Sequence, residues 1–494
     1  MQLFNLTDHF APVIDFLQIW GWIPMLVINI GVTITILIEN RNPTKTVSWV
    51  LIIVFLPFLG LVLYYLFGQK FVKVKKLKRL NQIQTLRIKK EFERLEPIML
   101  WSIQNIKENI GDLSRVYSYL MNEKISTPTL NNDVTLLING EQKFPLFLES
   151  LSEAQHSIHL EYYIFELDGI GSEVMNILER KAQEGVKVRL IVDSFGSPRL
   201  VRYMRKNKNT HIEFQPFLPV TFTSLANSNY RNHRKIAIID AEITYIGGIN
   251  ISDRYINTGN TGLYWRDTSV KIVGNAAAMF QISFWNSWNQ TDGDPFDLEQ
   301  GYVKEIDRRP DHLSAVALAA SDPGSIGPFN MEALLISIGE ANTSIKLCTP
   351  YFIPTEQLST ALKSAAAAGI EVELMLPAKG DSWVVHHASF SFLKPLLERG
   401  VKVHLYEKGF LHAKTAIIDG KIAFVGTVNL DIRSFYINYE ITSVISNREF
   451  CKNMEDQFDI DRQNSSLVTL KDWKKRNAWK RGVDSLCRLF APLL

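Results

Sequence analysis

Two stretches of the chain repeat one spacing of histidine, lysine and aspartate. His233-Arg234-Lys235-Ile236-Ala237-Ile238-Ile239-Asp240 and His412-Ala413-Lys414-Thr415-Ala416-Ile417-Ile418-Asp419 both read H-x-K-x4-D. The residues between Lys and Asp are β-prone. On a strand, positions i and i+2 share a face and i+7 points to the other. His233 and Lys235, and likewise His412 and Lys414, are therefore expected to share a pocket. Asp240 and Asp419 complete the two catalytic motifs by bracing the strand ends. Small residues and an asparagine follow each copy, Gly247-Gly248-Ile249-Asn250 and Gly426-Thr427-Val428-Asn429. Such a turn lets backbone and amide approach an anion closely. Two imidazoles, two ammonium groups and two amides on one point suit a phosphodiester. Lys235, Lys414, Asn250 and Asn429 neutralise its oxygens, one histidine attacks phosphorus and the other protonates the leaving alcohol. The scheme requires no metal and implies no cofactor. One match to the motif is a weak signal; two copies in matching contexts are a strong one.

The elements that must position these residues repeat as well. Beyond about residue 130 the pattern alternates apolar strands with amphipathic helices, an α/β signature. Leu146 to Ala154 reads as helix and leads into Ser157-Ile158-His159-Leu160 and Tyr162-Tyr163-Ile164. Ala333 to Ala341 leads in the same way into Ser344-Ile345-Lys346-Leu347 and Tyr351-Phe352-Ile353. Each half then offers a helix ending at Gly185 or Gly369, and a strand over Val186 to Val192 or Ile370 to Leu376. A glycine C-cap followed by a continuous apolar strand is the pattern of a buried strand in a layered domain. A repeat this long predicts two fused similar domains, with the site where they meet.

The paired motifs resemble those of the phospholipase D superfamily over about residues 130 to 445. The resemblance implies two halves packed as a pseudo-dimer around one site. It implies His233 as the nucleophile that forms a phosphohistidine and His412 as general acid and later base. Asp267 and Glu440 are then the acids that orient the histidines. Within the superfamily, Asn40-Arg41-Asn42-Pro43-Thr44-Lys45-Thr46, the run with Pro57 and Gly60, Tyr64 to Gly68, and Leu160-Glu161-Tyr162-Tyr163-Ile164-Phe165 resemble the bacterial cardiolipin synthases. That family implies transfer of a phosphatidyl group between two phosphatidylglycerol molecules, giving cardiolipin and glycerol. The same chemistry with water as acceptor is a hydrolytic phospholipase D releasing phosphatidic acid, and the motifs do not separate the two.

Ahead of the repeat lie two uncharged apolar runs, Ile19 to Ile38 and Val47 to Phe67. Each is near the roughly 20 residues that a helix needs to cross hydrocarbon. Trp20, Trp22, Trp49, Tyr64 and Tyr65 stand at their boundaries, where membrane interfaces favour aromatic rings. No Lys or Arg precedes the first run and no cleavage-type small-residue site follows it, so a transmembrane hairpin is expected rather than a signal peptide. Lys70, Lys73, Lys75, Lys76, Lys78 and Arg79 follow the second run with no acid among them. This predicts a multi-pass protein of the cell membrane with its catalytic part on the cytoplasmic side, held against anionic phospholipid. The expected organisation is thus two transmembrane helices over 1–69, a basic, mostly helical linker over 70–130, phospholipase D-like domains over 131–300 and 301–465, and a basic amphipathic helix over 466–494.

Size and composition agree with this division. A chain of 494 residues with 46% hydrophobic and 21% charged residues predicts more than one globular unit. A net charge of +3 gives no nucleic-acid footprint, which argues against a nuclease. Two intact motifs argue against an inert scaffold, and homo-oligomerisation is left open. Cys348, Cys451 and Cys487 are widely spaced and suggest free thiols. The adjacent His386 and His387 lack chelating spacing and are assigned ordinary surface or pocket roles. Tyr162, Tyr163, Tyr351 and Phe352 are assigned to the core. The apolar stripe of Trp479, Val483, Leu486 and Phe490 serves either lipid or packing on the catalytic domain.

Overall fold

The strands of the repeat are built from β-branched and aliphatic residues whose alternate side chains face two different cores. A computed structural model describes Trp20 and residues 22–38, 43–68, 102–207, 210–219, 229–257, 263–291 and 314–491. It forms two units, one of residues 1–73 with 221–229 and one of 74–220 with 230–494.

The larger unit holds the repeat. Its first half runs β1 (Asn132–Ile138), β2 (Ser157–Tyr162), β3 (Lys187–Asp193), β4 (Glu213–Phe217), β5 (Lys235–Ile239), β6 (Ile243–Gly247), β7 (Trp265–Arg266) and β8 (Thr268–Gly274). The second runs β9 (Ala315–Ser321), β10 (Ser344–Cys348), β11 (Phe352–Ile353), β12 (Glu371–Pro377), β13 (Lys402–Tyr406), β14 (Phe410–Leu411), β15 (Thr415–Ile418), β16 (Ile422–Gly426), β17 (Leu430–Asp431), β18 (Glu440–Ser446) and β19 (Ser465–Val468). The first sheet has the order β1-β8-β6-β5-β2-β3-β4. The second, read from β9, is β9-β18-β16-β15-β10-β12-β13, the same path with β19 added at its far edge. The parallel pairs β2–β3 and β10–β12 are joined by the helices Gly169–Gln183 and Glu356–Ala367. Gly185 and Gly369 follow these helices at φ +96° and +95°, a left-handed conformation that favours glycine.

Alternation along β5 shows how the halves are held. Ala237 and Ile239 face an outer core with Ile158, Leu160, Phe147, Val174 and Leu178. Ile236 and Ile238 face an inner core that also takes Ala423, Val425 and Ile441 of the second sheet. The second half has its own outer core, with Leu347, Leu374 and Ile418 beneath Leu334, Leu358 and Leu362. A buried ion pair crosses between halves, Arg266 Nε to Asp461 Oδ2 at 2.8 Å.

Two expectations about the flanks change. Residues 70–101 of the expected linker, with its basic cluster, lie outside the described residues. Ile106, Leu113, Val116, Tyr117 and Leu120 are not linker-like: they are buried in the second half's core. At the C-terminus, residues 466–468 belong to β19, antiparallel to β13 (Val403↔Val468), rather than to a helix. Helices Leu470–Lys474 and Ala478–Arg488 follow.

In the smaller unit, helix Trp22–Ile38 is followed by Pro43–Phe55, Pro57–Leu63 and a π-helical turn over Tyr64–Gly68. The second apolar run is therefore not one continuous helix. Pro57 cannot donate to the carbonyl of Ile53 and pushes the preceding residue out of the helical region; Leu56 sits at φ −130°, ψ 66°. The 17 residues of the first helix reach about 26 Å, short of the roughly 30 Å of bilayer hydrocarbon. Among the described residues, no helix is long and apolar enough to cross a membrane. Ile36, Ile53 and Tyr64 pack together, and Trp49 meets Tyr64 edge-on at 5.5 Å. The rest of this surface is apolar and open, with Val27 63%, Phe55 75% and Phe58 75% exposed.

Candidate active site

Both motif histidines sit just before their strands, in segments borrowed by the opposite half. His233 N–H donates to the Tyr439 carbonyl at 3.0 Å, and Tyr439 N–H returns to the Arg231 carbonyl at 2.9 Å. His412 N–H donates to the Arg266 carbonyl at 2.7 Å, extending the parallel pair β7–β14. The side chains cross in the same sense. His233 Nδ1 lies 3.0 Å from both carboxylate oxygens of Glu440, in the second half. His412 Nδ1 lies 2.6 Å from Asp267 Oδ2, in the first. An acid on Nδ1 fixes the tautomer that leaves Nε2 for chemistry.

Asp267 and Glu440 occupy matching places despite their unequal spacing from Asn250 and Asn429. Asp267 immediately precedes β8 and Glu440 opens β18. The extra residues of the first half lie in the stretch that includes the helical turn Asp253–Tyr255 and β7. Both acids are fully buried and kept ionised. Burial alone raises a carboxyl's pKa, but His412 and Lys414 hold Asp267 below its usual range, and His233 and Lys235 do the same for Glu440.

The lysines fill the same pocket. Lys235 Nζ donates to the His233 carbonyl at 2.6 Å, and Lys414 Nζ to the His412 carbonyl at 2.5 Å. An ammonium has three donors, so each keeps capacity for a substrate oxygen. Burial lowers both, Lys414 to about 8 and Lys235 well below its ordinary value. Burial also pulls His412 down to about 3, helped by Lys414, and lowers His233 against the pull of Glu440. Both imidazoles are therefore neutral before an anion arrives. Aromatic rings wall in His412, with Trp265 at 5.3 Å, Phe410 at 5.8 Å and Tyr255 at 6.0 Å.

The other predicted site residues are placed less directly. Asn250 donates its amide to Tyr255 Oη at 2.5 Å and accepts from Ile164 N–H at 3.1 Å. It thereby fixes the tyrosine that leans on His412. Asn429 is buried, and its amide oxygen has no hydrogen-bond partner among the described residues. Asp240 and Asp419 stand at the far ends of β5 and β15, outside the histidine cluster. They turn the chain at φ 52° and 54°, which aspartate tolerates better than most residues. Asp240 accepts from the N–H groups of Gln155, His156 and Ser157. Asp419 accepts from those of Asn342, Thr343 and Ser344.

In the first glycine turn, Gly248 makes room for the acid. A Cβ on Gly248 would stand 2.1 Å from Asp267 Oδ1. At the matching place in the second half, Thr427 Oγ1 hydrogen-bonds Glu440 Oε2 at 2.5 Å. Asn438 Nδ2 adds a bond to Glu440 Oε1 at 3.2 Å. Thr427, Asn438 and Tyr255 were not singled out by motif spacing, since they act on the acids and on Asn250 through the fold. Tyr163 and Tyr351 also depart from the core assignment. The first meets His233 edge-on at 5.1 Å and the second bonds Asp381 at 2.7 Å. Each follows its strand by at least one residue and turns toward the site, whereas Tyr162 and Phe352 are core. His387 bonds Asp484 at 2.7 Å, and His386 lines a small pocket with Tyr351 and Phe390.

A family model described as cardiolipin synthase, PLD-like domain, matches residues 147–285 and 334–462, one match for each half of the fold. The chain belongs to this cardiolipin synthase family. A second model, phospholipase D-nuclease N-terminal, matches residues 27–69. A cardiolipin synthase of Oceanobacillus iheyensis is 35% identical over 474 residues, spanning 95% of this chain and 98% of that one. Cardiolipin synthase 1 of Bacillus anthracis is 36% identical over 478 residues, 94% of this chain and 92% of its own length. The crystal structure of phosphatidylserine synthase from Haemophilus influenzae superposes with a TM-score of 0.60 at 16% identity. It covers 77% of this chain and 97% of the other, a likeness of fold. Membership of the cardiolipin synthase family makes this chain a phosphatidyltransferase.

Proposed function

We infer that the chain joins two phosphatidylglycerol molecules into cardiolipin and glycerol through a phosphohistidine. The crossed pairs, His233 on Glu440 and His412 on Asp267, carry this reading, because each places an acid on Nδ1 and leaves Nε2 directed away from it. His233 Nε2 attacks phosphorus while the P–O bond to the glycerol headgroup breaks and His412 gives that oxygen its proton. The phosphodiester's charge offsets the two lysines and lifts the pKa of His412, which lets it start protonated. The headgroup hydroxyl of a second phosphatidylglycerol then gives its proton to His412 and attacks phosphorus, and the P–N bond breaks. Glu440 stabilises the positive charge that His233 acquires, and Lys235 and Lys414 stabilise the phosphoryl oxygens. His412 takes the acid–base role because burial within its aromatic walls resists lasting charge.

The substrate and the open apolar surface of the N-terminal helices support a membrane position, with this hairpin embedded and the catalytic unit on the cytoplasmic side. Purified protein incubated with phosphatidylglycerol in detergent, without added metal, tests the chemistry by product analysis. Cardiolipin with free glycerol is expected; phosphatidic acid alone would make the protein a hydrolase. His233→Ala and His412→Ala should each abolish turnover, and normal turnover in either would overturn the assignment. Deleting residues 1–68 should lower activity on vesicles more than on detergent-dispersed lipid, and equal losses would remove the anchoring role.

A further inference from the structure

The C-terminal helix Ala478–Arg488 is held on the catalytic unit by one face and leaves another bare. Cys487 and Ala491 pack with Ala388 and Ile353, joined by Val384, Val385 and Ile432. Buried Asp484 pins the contact from both sides, bonding His387 Nδ1 at 2.7 Å and Arg476 Nη2 at 2.7 Å. Packing therefore accounts for Cys487, Asp484 and Ala491. It does not account for the other side, where Trp479 is 78%, Leu486 60% and Leu489 73% exposed, with Phe490 beside them. Trp479 and Leu486 fall at i and i+7 on the helix, and Leu489 and Phe490 follow in the turn at its end. Contiguous exposed aromatic and aliphatic side chains are unusual on a protein that meets only water.

The charges nearby select the occupant. Lys471, Lys474, Lys475, Lys480, Arg481 and Arg488 lie in the same segment. Of its two acids, Asp484 is spent on His387 and Arg476, and Asp472 lies 3.5 Å from Lys475. A short helix with a Trp/Leu/Phe stripe and a basic surround matches the boundary between headgroups and acyl chains of an anionic bilayer. We propose that this helix lies in that boundary, as a second lipid contact of the catalytic unit besides the N-terminal segment. The location has a use. Ile432, in the cluster beneath the helix, follows Asn429 by three residues, and His387 lies on the helix that begins just after Asp381, the partner of Tyr351. The lipid contact is thus built onto the elements that frame the second half of the site. The inference rests on the reading that the substrate is a membrane lipid.

Full-length Leu489→Cys carrying a bimane label, reconstituted in phosphatidylglycerol vesicles, tests it directly. The parent chain, whose three cysteines are all buried, controls for labelling. Acyl chains brominated near the headgroup should quench the label by about twofold or more. The triple substitution Trp479→Ser, Leu486→Ser, Leu489→Ser should lower activity on vesicles about tenfold and leave activity in detergent nearly unchanged. Absence of quenching overturns the proposal, and disulfide-linked dimers of the unlabelled Leu489→Cys chain under mild oxidation would assign the face to a second copy instead. Equal losses on vesicles and in detergent also overturn it, since they mark a helix needed only for folding. Failure of transfer by the parent protein in detergent would instead strike the functional reading, which keeps the two apart.

Discussion

Glu440→Gln separates the charge of the crossed acid from its shape. The amide is nearly isosteric, and its oxygen can still accept from His233 Nδ1. Thr427 can turn its hydroxyl to accept from the new NH2, because a hydroxyl both donates and accepts. What disappears is a full negative charge 3.0 Å from the ring nitrogen and shut off from water. Exchanging a charged for a neutral hydrogen bond loses about 1–2 kcal/mol. Coulomb attraction at about 4 Å with an effective dielectric near 20 sets an upper limit of roughly 4 kcal/mol. A loss of about 1–4 kcal/mol from the step that makes His233 cationic lowers kcat about 5- to 1000-fold. KM should stay within about threefold, because the charge acts in the transition state more than on bound lipid. The pH profile supplies a second, independent sign. Glu440 raises the His233 pKa against burial, so its removal lowers that pKa further. The acid limb of the rate profile should therefore move to lower pH. The assay is cardiolipin formation in detergent across pH 4.5–8, with circular dichroism to show that the fold persists. A loss under about threefold together with an unmoved acid limb would refute the claim that the acid works through His233.

Three further outcomes follow from the packing. Asp461→Asn strands buried Arg266 without its counter-charge and should destabilise the protein by about 3–5 kcal/mol; an unchanged melting temperature in detergent would show that the pair is not a clamp. Gly248→Ala drives a methyl group against Asp267 and should cut turnover sharply with little change in lipid binding, and wild-type kcat would show that the acid has room to move. Stability should fall on acidification. Burial holds both His159 and His412 at about 3, below the ordinary 6.5, so the unfolded chain takes up protons that the folded chain refuses. The stabilisation is present above pH 6.5 and is lost as pH falls toward the folded values, at up to about 1.4 kcal/mol per pH unit for each histidine. His159→Gln, remote from the chemistry and stacked on Phe284, should flatten that dependence, and a slope as steep as the parent's would exclude His159 as a source.

The duplicated architecture was legible because it rests on period and punctuation. Gly185 and Gly369, the apolar runs after them and the two H-x-K-x4-D copies each mark one place in a repeated path, and the two sheets follow it strand for strand. The histidines, lysines and orienting acids were named from the motifs and the resemblance they carry. Which acid serves which histidine was not legible, since that depends on how the halves dock, through contacts between residues 207 and 145 positions apart. Spacing also did not reveal that Gly248 leaves space for the Asp267 carboxylate. Composition suggested two continuous spans, but a single proline decides the local backbone, and at Leu56–Pro57 it ends one helix and starts another. Tyr163 and Tyr351 were read with the strands they follow, although a side chain beyond a strand's end no longer obeys its alternation.

The exchange of acids between halves has a consequence for synthesis. When the first H-x-K-x4-D segment has left the ribosome, the acid that completes its histidine, the carbonyl that anchors its backbone and the wall of its inner core are still uncoded polymer. The nascent chain then carries an intact motif, yet on the proposed mechanism it has neither an oriented nucleophile nor a proton donor. Competence arrives only after Glu440 has been made and the second sheet has closed on the first. On the proposed mechanism the arrangement acts as an assembly checkpoint: a truncated or misdocked product, lacking the crossed acids, is chemically silent.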